Sequence, residues 1–190
     1  MQTKKKTAVL AGYLAFSVLL VIFDQWSKHL AVAHLKGQAD IPLIKDVFEL
    51  SYLENTGMAW GLFAGGRWIF LAGTVLILAL IFYALVRAPL TGRYRPLRGV
   101  LTVLAAGAAG NLIDRLLHGY VVDFFSFCLI DFPIFNVADC YVVVSGILFV
   151  LLFLFYYKDE DLAVFVPSFL NRKERKNGEK KFCDLRTCNK

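Results

Sequence analysis

Four long apolar segments dominate the pattern of hydrophobic and polar residues along the chain. They cover about residues 7–26, 68–86, 99–117 and 136–157, and more polar stretches separate them. An α-helix rises about 1.5 Å per residue, so each segment can cross the roughly 30 Å hydrocarbon core of a bilayer. The pattern therefore predicts four membrane-spanning helices.

The basic residues between these segments indicate how the helices are oriented. Lysine and arginine cluster at Lys4–Lys6, at Arg87–Arg98 and in the tail 158–190, whereas the loop 118–135 contains none. Loops rich in lysine and arginine remain in the cytoplasm. We therefore expect both termini in the cytoplasm and the first and third loops on the extracytoplasmic side.

Composition supports a membrane protein and argues against a nucleic-acid-binding domain. Hydrophobic residues make up 58% of the chain and the mean hydropathy is +0.58, which is high for a soluble fold. The net charge of +6 lies mostly in the loop clusters instead of on one foldable surface. Ala31-Val32-Ala33 after the first segment resembles a signal-peptide cleavage site, but the preceding apolar run is longer than usual, so we expect a retained span.

The two extracytoplasmic loops predict a small sheet. Residues 47–55 alternate between apolar and polar side chains, which is typical of a strand, and 58–63 could return after a turn at 55–57. Residues 120–127 predict another strand, and 28–35 predict a short interfacial helix. The expected fold is a membrane all-α core of four helices with a small extracytoplasmic β-sheet and an interfacial helix.

Two aspartates near one end of this bundle are candidates for chemistry. Asp123 is flanked by valine and phenylalanine, and Asp139 opens the fourth segment. Ionisable groups at membrane depth are costly and usually functional. Burial should raise the pKa of Asp123, and if Asp139 lies opposite, repulsion keeps one of the two protonated. One carboxyl can then take a proton from water while the other donates one to the leaving group, as in aspartic proteolysis.

Two other spacings have purely structural interpretations that stay open. Asn136 and Asp139 have the spacing of a helix cap, and the helix terminus there favours an ionised acid. Asp24 and Lys28 have the spacing of a helical ion pair, although a contribution to substrate positioning is the alternative.

The third segment adds a polar face. Asn111, Asp114 and Arg115 lie on one side of the predicted helix, where they either fasten helices together or contact a substrate. The small residues of 105–110 predict close packing against a neighbouring helix.

Other chemistries lack their motifs. The chain contains no HExxH, G-x-S-x-G or Ser-x-x-Lys, and Cys183 and Cys188 lack the additional ligands of a zinc site. The alternative to a protease is a small transporter or proton relay that uses the same acids. That alternative normally requires internal repeats or broken helices, which the pattern does not indicate.

Four sequence blocks together resemble the lipoprotein signal peptidase family, also called signal peptidase II, from about Val9 to Tyr157. The blocks are Asp24-Gln-Trp-Ser-Lys28, Asn55-Thr-Gly-Met-Ala-Trp-Gly61, Gly110-Asn-Leu-Ile-Asp-Arg115 with Gly119-Tyr-Val-Val-Asp-Phe124, and Phe135-Asn-Val-Ala-Asp139. They occur in the order of the family. Trp60 stands where the family often has phenylalanine, and the tail with Cys183 and Cys188 is longer than usual.

The resemblance implies a bacterial inner-membrane enzyme that needs no metal or cofactor. It would cleave signal peptides from diacylglyceryl-modified prolipoproteins just before the lipidated cysteine and be inhibited by globomycin. The resemblance implies Asp123 and Asp139 as the catalytic pair, and we expect a monomer that contacts membrane lipids and no nucleic acid. Supporting or substrate-binding roles are implied for Asp24, Lys28, Asn55, Gly57, Asn111, Asp114, Arg115 and Asn136.

Overall fold

A computed structural model describes residues 2–57, 67–130 and 132–165. Its long helices are α1 (Gln2–Leu35), α2 (Arg67–Arg87), α3 (Arg95–Leu117) and α4 (Val137–Leu151). A π-helical turn, Leu152–Tyr156, extends α4, and α5 (Asp159–Leu162) follows.

Four of the described helical segments are long and apolar enough to cross a membrane: 6–35, 68–87, 92–117 and 137–156. They confirm the four predicted spanning helices. The residues predicted to form an interfacial helix, 28–35, continue α1 without a break.

The distribution of side chains is that of a protein surrounded by lipid. Large aliphatic and aromatic side chains are exposed along the outer faces of α2 and α4, whereas Asp24, Lys28 and Asp114 are almost completely buried. In water-soluble proteins charged residues are rarely buried without partners, and apolar ones fill the interior. Here the charged groups pair inside the bundle and the apolar faces point outward, as a bilayer requires.

Small residues allow α3 to pack closely against α4 and α1. A Cβ atom on Gly107 would lie 2.6 Å from the backbone oxygen of Ala138 and 2.8 Å from a methyl group of Val142. A Cβ atom on Gly110 would overlap the carboxylate of Asp24. These contacts confirm the packing predicted from the small residues of 105–110, and they bring polar groups of three helices within reach of one another.

A three-stranded antiparallel sheet lies at one end of the bundle. Its strands are β1 (Ile41–Ile44), β2 (Phe48–Asn55) and β3 (Val121–Phe127), in the order β1-β2-β3. The strands β2 and β3 match the predictions for 47–55 and 120–127. Strand β1 was not predicted, since four residues that include a proline show no alternation. The predicted returning strand at 58–63 lies outside the described residues.

Backbone hydrogen bonds fix the start of α4 to β3. The Phe125 amide donates to the Phe135 carbonyl at 2.8 Å, and the Phe135 amide donates back at 3.0 Å. Val122 and Phe124 also pack on Ala31 of α1 in a buried apolar cluster. Asp123, which lies between those two residues of β3, is therefore held beside the first turn of α4.

At the opposite end of the bundle, residues 158–165 pack back onto the helices, and we call this segment the C-terminal clasp. Asp161 accepts two hydrogen bonds from the Arg93 guanidinium, at 2.8 and 2.6 Å, and the Tyr94 hydroxyl donates to the Asp161 carbonyl at 2.9 Å. Leu162 and Phe165 pack on the apolar cluster around Leu97 and Leu101. The predicted tail 158–190 thus begins as a packed segment, and Cys183 and Cys188 lie outside the described residues.

Candidate active site

Asp123 and Asp139 line the same cavity, which has a volume of about 600 Å³. Asp123 comes from the buried strand β3, and Asp139 comes from the first turn of α4. The remaining lining residues include both polar and apolar ones: Asn55, Gly57, Arg115, Phe132, Pro133, Ile134, Phe135, Cys140, Val143 and Val144. The structure therefore brings two acids together at the sheet end of the bundle.

Each of the two carboxylates accepts two hydrogen bonds from N–H groups. Asp123 accepts from the side chains of Asn136, at 2.5 Å, and Asn55, at 2.8 Å, on different oxygens. Asp139 accepts from the side chain of Asn111 at 2.8 Å and from the backbone N–H of Asn136 at 3.1 Å. The donors hold both acids in place and satisfy part of the hydrogen-bonding capacity that burial would otherwise leave unused.

Asn136 is the N-cap of α4, as its spacing from Asp139 predicted. Its Oδ1 accepts the backbone N–H of Asp139 at 3.0 Å, and the Asp139 side chain completes the capping box. Because this bond assigns the oxygen of the amide, the Nδ2 group is free to donate to Asp123 and, at 3.2 Å, to Asn111. The cap and the acid pair are therefore parts of one arrangement.

A buried ionic cluster lies behind the pair, between α1 and α3. The Lys28 ammonium is 2.9 Å from Asp24 and 3.0 Å from Asp114, and it donates to Asn111 Oδ1 at 3.0 Å. The predicted Asp24–Lys28 pair is confirmed. Asp114 forms its ion pair with Lys28 of α1 and not with Arg115, the next residue in α3. Lys28 and Asn111 link this cluster to Asp139.

Gln25 belongs to this cluster, although the sequence pattern predicted no role for it. Its side-chain amide donates to Asp114 at 2.9 Å, to the Gly110 carbonyl at 3.2 Å and to Asp24 at 3.2 Å. An uncharged residue between two charged ones gives no chemical signal of its own. Its position inside the block from Asp24 to Lys28 was the one available indication.

Arg115 lines the cavity and is not part of the ionic cluster. Its guanidinium donates to the Gly57 carbonyl at 3.5 Å and lies 5.2 Å from the centre of the Phe70 ring. In the part of the chain that the structure describes, no carboxylate lies within ion-pair distance of it. A guanidinium in this position is available to a carbonyl group or a headgroup of a substrate.

Asn55 and Gly57 form the turn that follows β2. The Gly57 backbone N–H donates to Asn55 Oδ1 at 3.0 Å, which orients the Nδ2 group toward Asp123. This is the turn predicted at 55–57. Trp60, the departure from the family pattern, lies outside the described residues.

Burial, and after it the charge of Asp139, raises the pKa of Asp123 to about 7. The hydrogen bonds from Asn55 and Asn136 and the charge of Lys28 lower the pKa, but by less than burial and Asp139 raise it. The direction and the main cause agree with the prediction. An acid with this pKa keeps its proton for much of the time at neutral pH, so it can act as a proton donor.

These features define a class: a polytopic membrane protein with a buried pair of acids at one end of its helical bundle. The model of the family described as Signal peptidase (SPase) II matches residues 16–155. The chain therefore belongs to the signal peptidase II family, a family of peptidases, and the resemblance noted in the sequence is confirmed.

Individual relatives agree with this assignment. The lipoprotein signal peptidase of Brevibacillus brevis (strain 47) is 40% identical over 144 residues, which are 75% of this chain and 95% of the relative. That of Enterococcus faecalis (strain V583) is 37% identical over 172 residues, 90% of this chain and 98% of the relative.

Solved structures extend the similarity to three dimensions. A bacterial membrane enzyme determined by the in meso method at 1.9 Å has 31% identity and a TM-score of 0.66, over 77% of this chain and 95% of that one. A bacterial membrane enzyme determined at 2.3 Å by the same method has 30% identity and the same TM-score, over 76% of this chain and 88% of that one. The chain is thus a multi-pass membrane protein with the fold of these enzymes.

Proposed function

We propose that this protein is an aspartyl endopeptidase that works within the membrane. It removes the signal peptide from diacylglyceryl-modified prolipoproteins and cleaves just before the lipidated cysteine. The observation that carries the proposal is that Asp123 and Asp139 line one cavity, each held by two N–H donors. Membership of the signal peptidase II family and the names of the relatives support the reaction class and the substrate class.

The two acids have different roles in the proposed reaction. Asp123, whose pKa is raised to about 7, carries the shared proton, and Asp139 is the base. Asp139 accepts a proton from a water molecule between the acids as the water oxygen attacks the carbonyl carbon that precedes the lipidated cysteine. Asp123 donates its proton to the carbonyl oxygen. The C–N bond then breaks as the amine of the cysteine leaves with the proton from Asp139, and one hydroxyl proton of the intermediate returns to Asp123.

The polar and apolar walls of the cavity fit the two parts of the proposed substrate. Arg115, near the Gly57 carbonyl, orients the peptide backbone by donating to a substrate carbonyl. Val143 and Val144 also line the cavity and are themselves largely exposed on α4. A diacylglyceryl group stays in the lipid, so a wall that continues into a lipid-facing helix allows the modified cysteine to enter from the bilayer.

The proposed orientation puts the cavity at the extracytoplasmic face. The Lys6 ammonium donates to the Val86 carbonyl at 2.6 Å, so the basic N-terminus and the end of α2 lie together, at the opposite end of the bundle from the sheet. Basic clusters remain in the cytoplasm. This leaves the sheet and both acids on the side where a secreted lipoprotein emerges.

A cleavage assay with purified protein in detergent tests the proposed function. A prolipoprotein with the diacylglyceryl group and the same protein without it are incubated separately, and products are separated by electrophoresis and identified by mass. We expect release of the signal peptide from the modified substrate only, with the modified cysteine as the new N-terminus, and inhibition by globomycin. No cleavage of the modified substrate, or cleavage at another bond, would contradict the proposal. A transporter or proton relay would give no product.

A further inference from the structure

The side-chain amide of Asn111 connects a buried cation to the acid pair. Its Oδ1 accepts from the Lys28 ammonium at 3.0 Å, and its Nδ2 donates to Asp139 at 2.8 Å. An ammonium group has donors and no acceptor, so the Asn111 atom that faces Lys28 has to be the oxygen. The N–H group then necessarily points toward Asp139.

The position of Lys28 is itself fully determined. Its side chain is almost completely buried, and its three N–H donors have three acceptors: Asp24 at 2.9 Å, Asp114 at 3.0 Å and Asn111 at 3.0 Å. Gln25 holds the two acids of this set with further hydrogen bonds. No donor is left over, so the ammonium cannot turn away from Asn111 without losing a partner in a dry interior.

We propose that Lys28 is a positioning residue of the peptidase, which acts by fixing the amide of Asn111 so that its N–H faces Asp139. This inference rests on the proposed function. Asn136 Nδ2 also donates to Asn111 Oδ1, at 3.2 Å, while it donates to Asp123 at 2.5 Å. Without the ammonium, only this longer bond holds the oxygen, and the amide can rotate by half a turn and present its oxygen to the carboxylate of Asp139. Two acceptors would then face each other, and the acid that takes the proton from water would lose a donor that stabilises its charged form.

The charges that surround the pair decide how the test has to be designed. The titratable and charged groups around the acid pair come from four elements. They are Lys28 and Asp24 on α1, Asp114 and Arg115 on α3, Asp123 itself on β3, and the Cys140 thiol next to Asp139 on α4. Counted as formal charges, Lys28, Asp24 and Asp114 sum to one negative charge. Replacing Lys28 alone would leave two unpaired buried carboxylates and change the field at the pair. A variant that removes one cation and one anion keeps the net charge and isolates the orientation of the amide.

The decisive variant therefore combines Lys28→Met with Asp114→Asn. We expect it to fold, with KM unchanged, with kcat lowered at least about tenfold and with the acid limb of the kcat profile moved to higher pH by about one unit. The comparison uses the modified prolipoprotein, steady-state kinetics between pH 5 and 9 and a melting curve in detergent. Lys36→Met, which removes an exposed ion pair with Glu54, is the control and should leave kcat and the profile unchanged.

A folded double variant with the kcat and pH profile of the unchanged protein would overturn the proposal, because Lys28 would then only fasten α1 to α3. If the double variant does not fold, the Lys28→Arg variant is measured in its place. Arginine keeps the positive charge and an N–H donor for Asn111, so the acid limb of the kcat profile should stay at the same pH. A folded Lys28→Arg variant with a displaced acid limb would also overturn it. Failure of the proposed function is a separate result, since it would appear as full activity of Asp139→Asn.

Discussion

The side chain of Asn136 donates a 2.5 Å hydrogen bond to Asp123. Asn136 precedes α4 as its N-cap, and Asp123 lies in β3, so this bond joins the start of the fourth membrane span to the sheet. The same asparagine binds Asp139 through its backbone N–H and its side-chain oxygen. The residue that begins the helix thus sets the distance and orientation between the two acids, and local helix capping is part of how the site is built.

The first prediction concerns the pH dependence of cleavage. Burial and the charge of Asp139 raise the pKa of Asp123 to about 7, so the proton that the pair shares is lost as the pH rises through that region. Activity should therefore fall above pH 7, with an apparent pKa near 7 on the alkaline limb of kcat. The measurement is kcat for the modified prolipoprotein between pH 5 and 9. A rate that stays constant up to pH 9 would show that no such proton is required.

The second prediction concerns Asn55, whose N–H donates to Asp123 at 2.8 Å and stabilises the ionised form. Asn55→Ala removes that donor, so the pKa of Asp123 should rise further and activity should persist to higher pH. A hydrogen bond to a charged group is worth about 1.5–3 kcal/mol, which predicts a displacement of the alkaline limb by about one to two pH units. Gln38→Ala, on an exposed turn, is the control. A displacement to lower pH would contradict the assignment.

The third prediction concerns the packing of α3. Gly107→Ala would place a Cβ atom 2.6 Å from the Ala138 carbonyl oxygen, so α3 and α4 would have to separate. We expect it to destabilise the protein by about 1–3 kcal/mol and to lower the melting temperature in detergent. Gly99→Ala in the same helix meets nothing within 4 Å, and it should have no effect or stabilise by about 0.5–1 kcal/mol. Equal effects of the two substitutions would show that close packing at Gly107 is unimportant.

The fourth prediction concerns the C-terminal clasp. The Arg93 guanidinium beside Asp161 lowers the pKa of that carboxyl to about 2. Because the folded-state pKa is depressed, the pair stabilises the fold above the ordinary pKa of aspartate, and this contribution is lost as the pH falls through about 2.

Variants of the pair test this contribution at neutral pH. Arg93→Met and Asp161→Asn should each lower the melting temperature, and the double variant should lower it by less than the sum of the two. Arg95→Met, at an exposed position on the same end of α3, should have little effect. Strictly additive losses would mean that the two side chains do not cooperate in solution.

Features that depend on local spacing were predictable from the sequence. The four spans follow from apolar runs that are long enough for a bilayer, and β2 and β3 follow from their alternation. The Asp24–Lys28 pair and the Asn136 cap are each defined by residues three or four positions apart, so the periodicity of a helix is enough to predict them.

Features that depend on contacts between distant residues were not predictable in the same way. Lys28 and Gln25 of α1 contact α3, and Arg115 contacts Gly57, across separations of 58 to 89 positions in the sequence. Gln25 carries no charge that would single it out. The edge strand β1 is held in its conformation by pairing with β2. The C-terminal clasp is held by the hydrogen bonds between Asp161 and Arg93, which are 68 positions apart in the sequence.

Single-turnover cleavage by two matched variants tests the account most directly. Asp123→Asn and Asp139→Asn keep the size of each side chain and remove the group that donates or accepts the proton. Asp40→Asn, at an exposed position before β1, serves as the control. We predict that both site variants insert, fold and bind globomycin but release no signal peptide from the modified prolipoprotein, and that the control cleaves at the unchanged rate. Turnover by purified Asp123→Asn or Asp139→Asn protein at the unchanged rate would contradict the account.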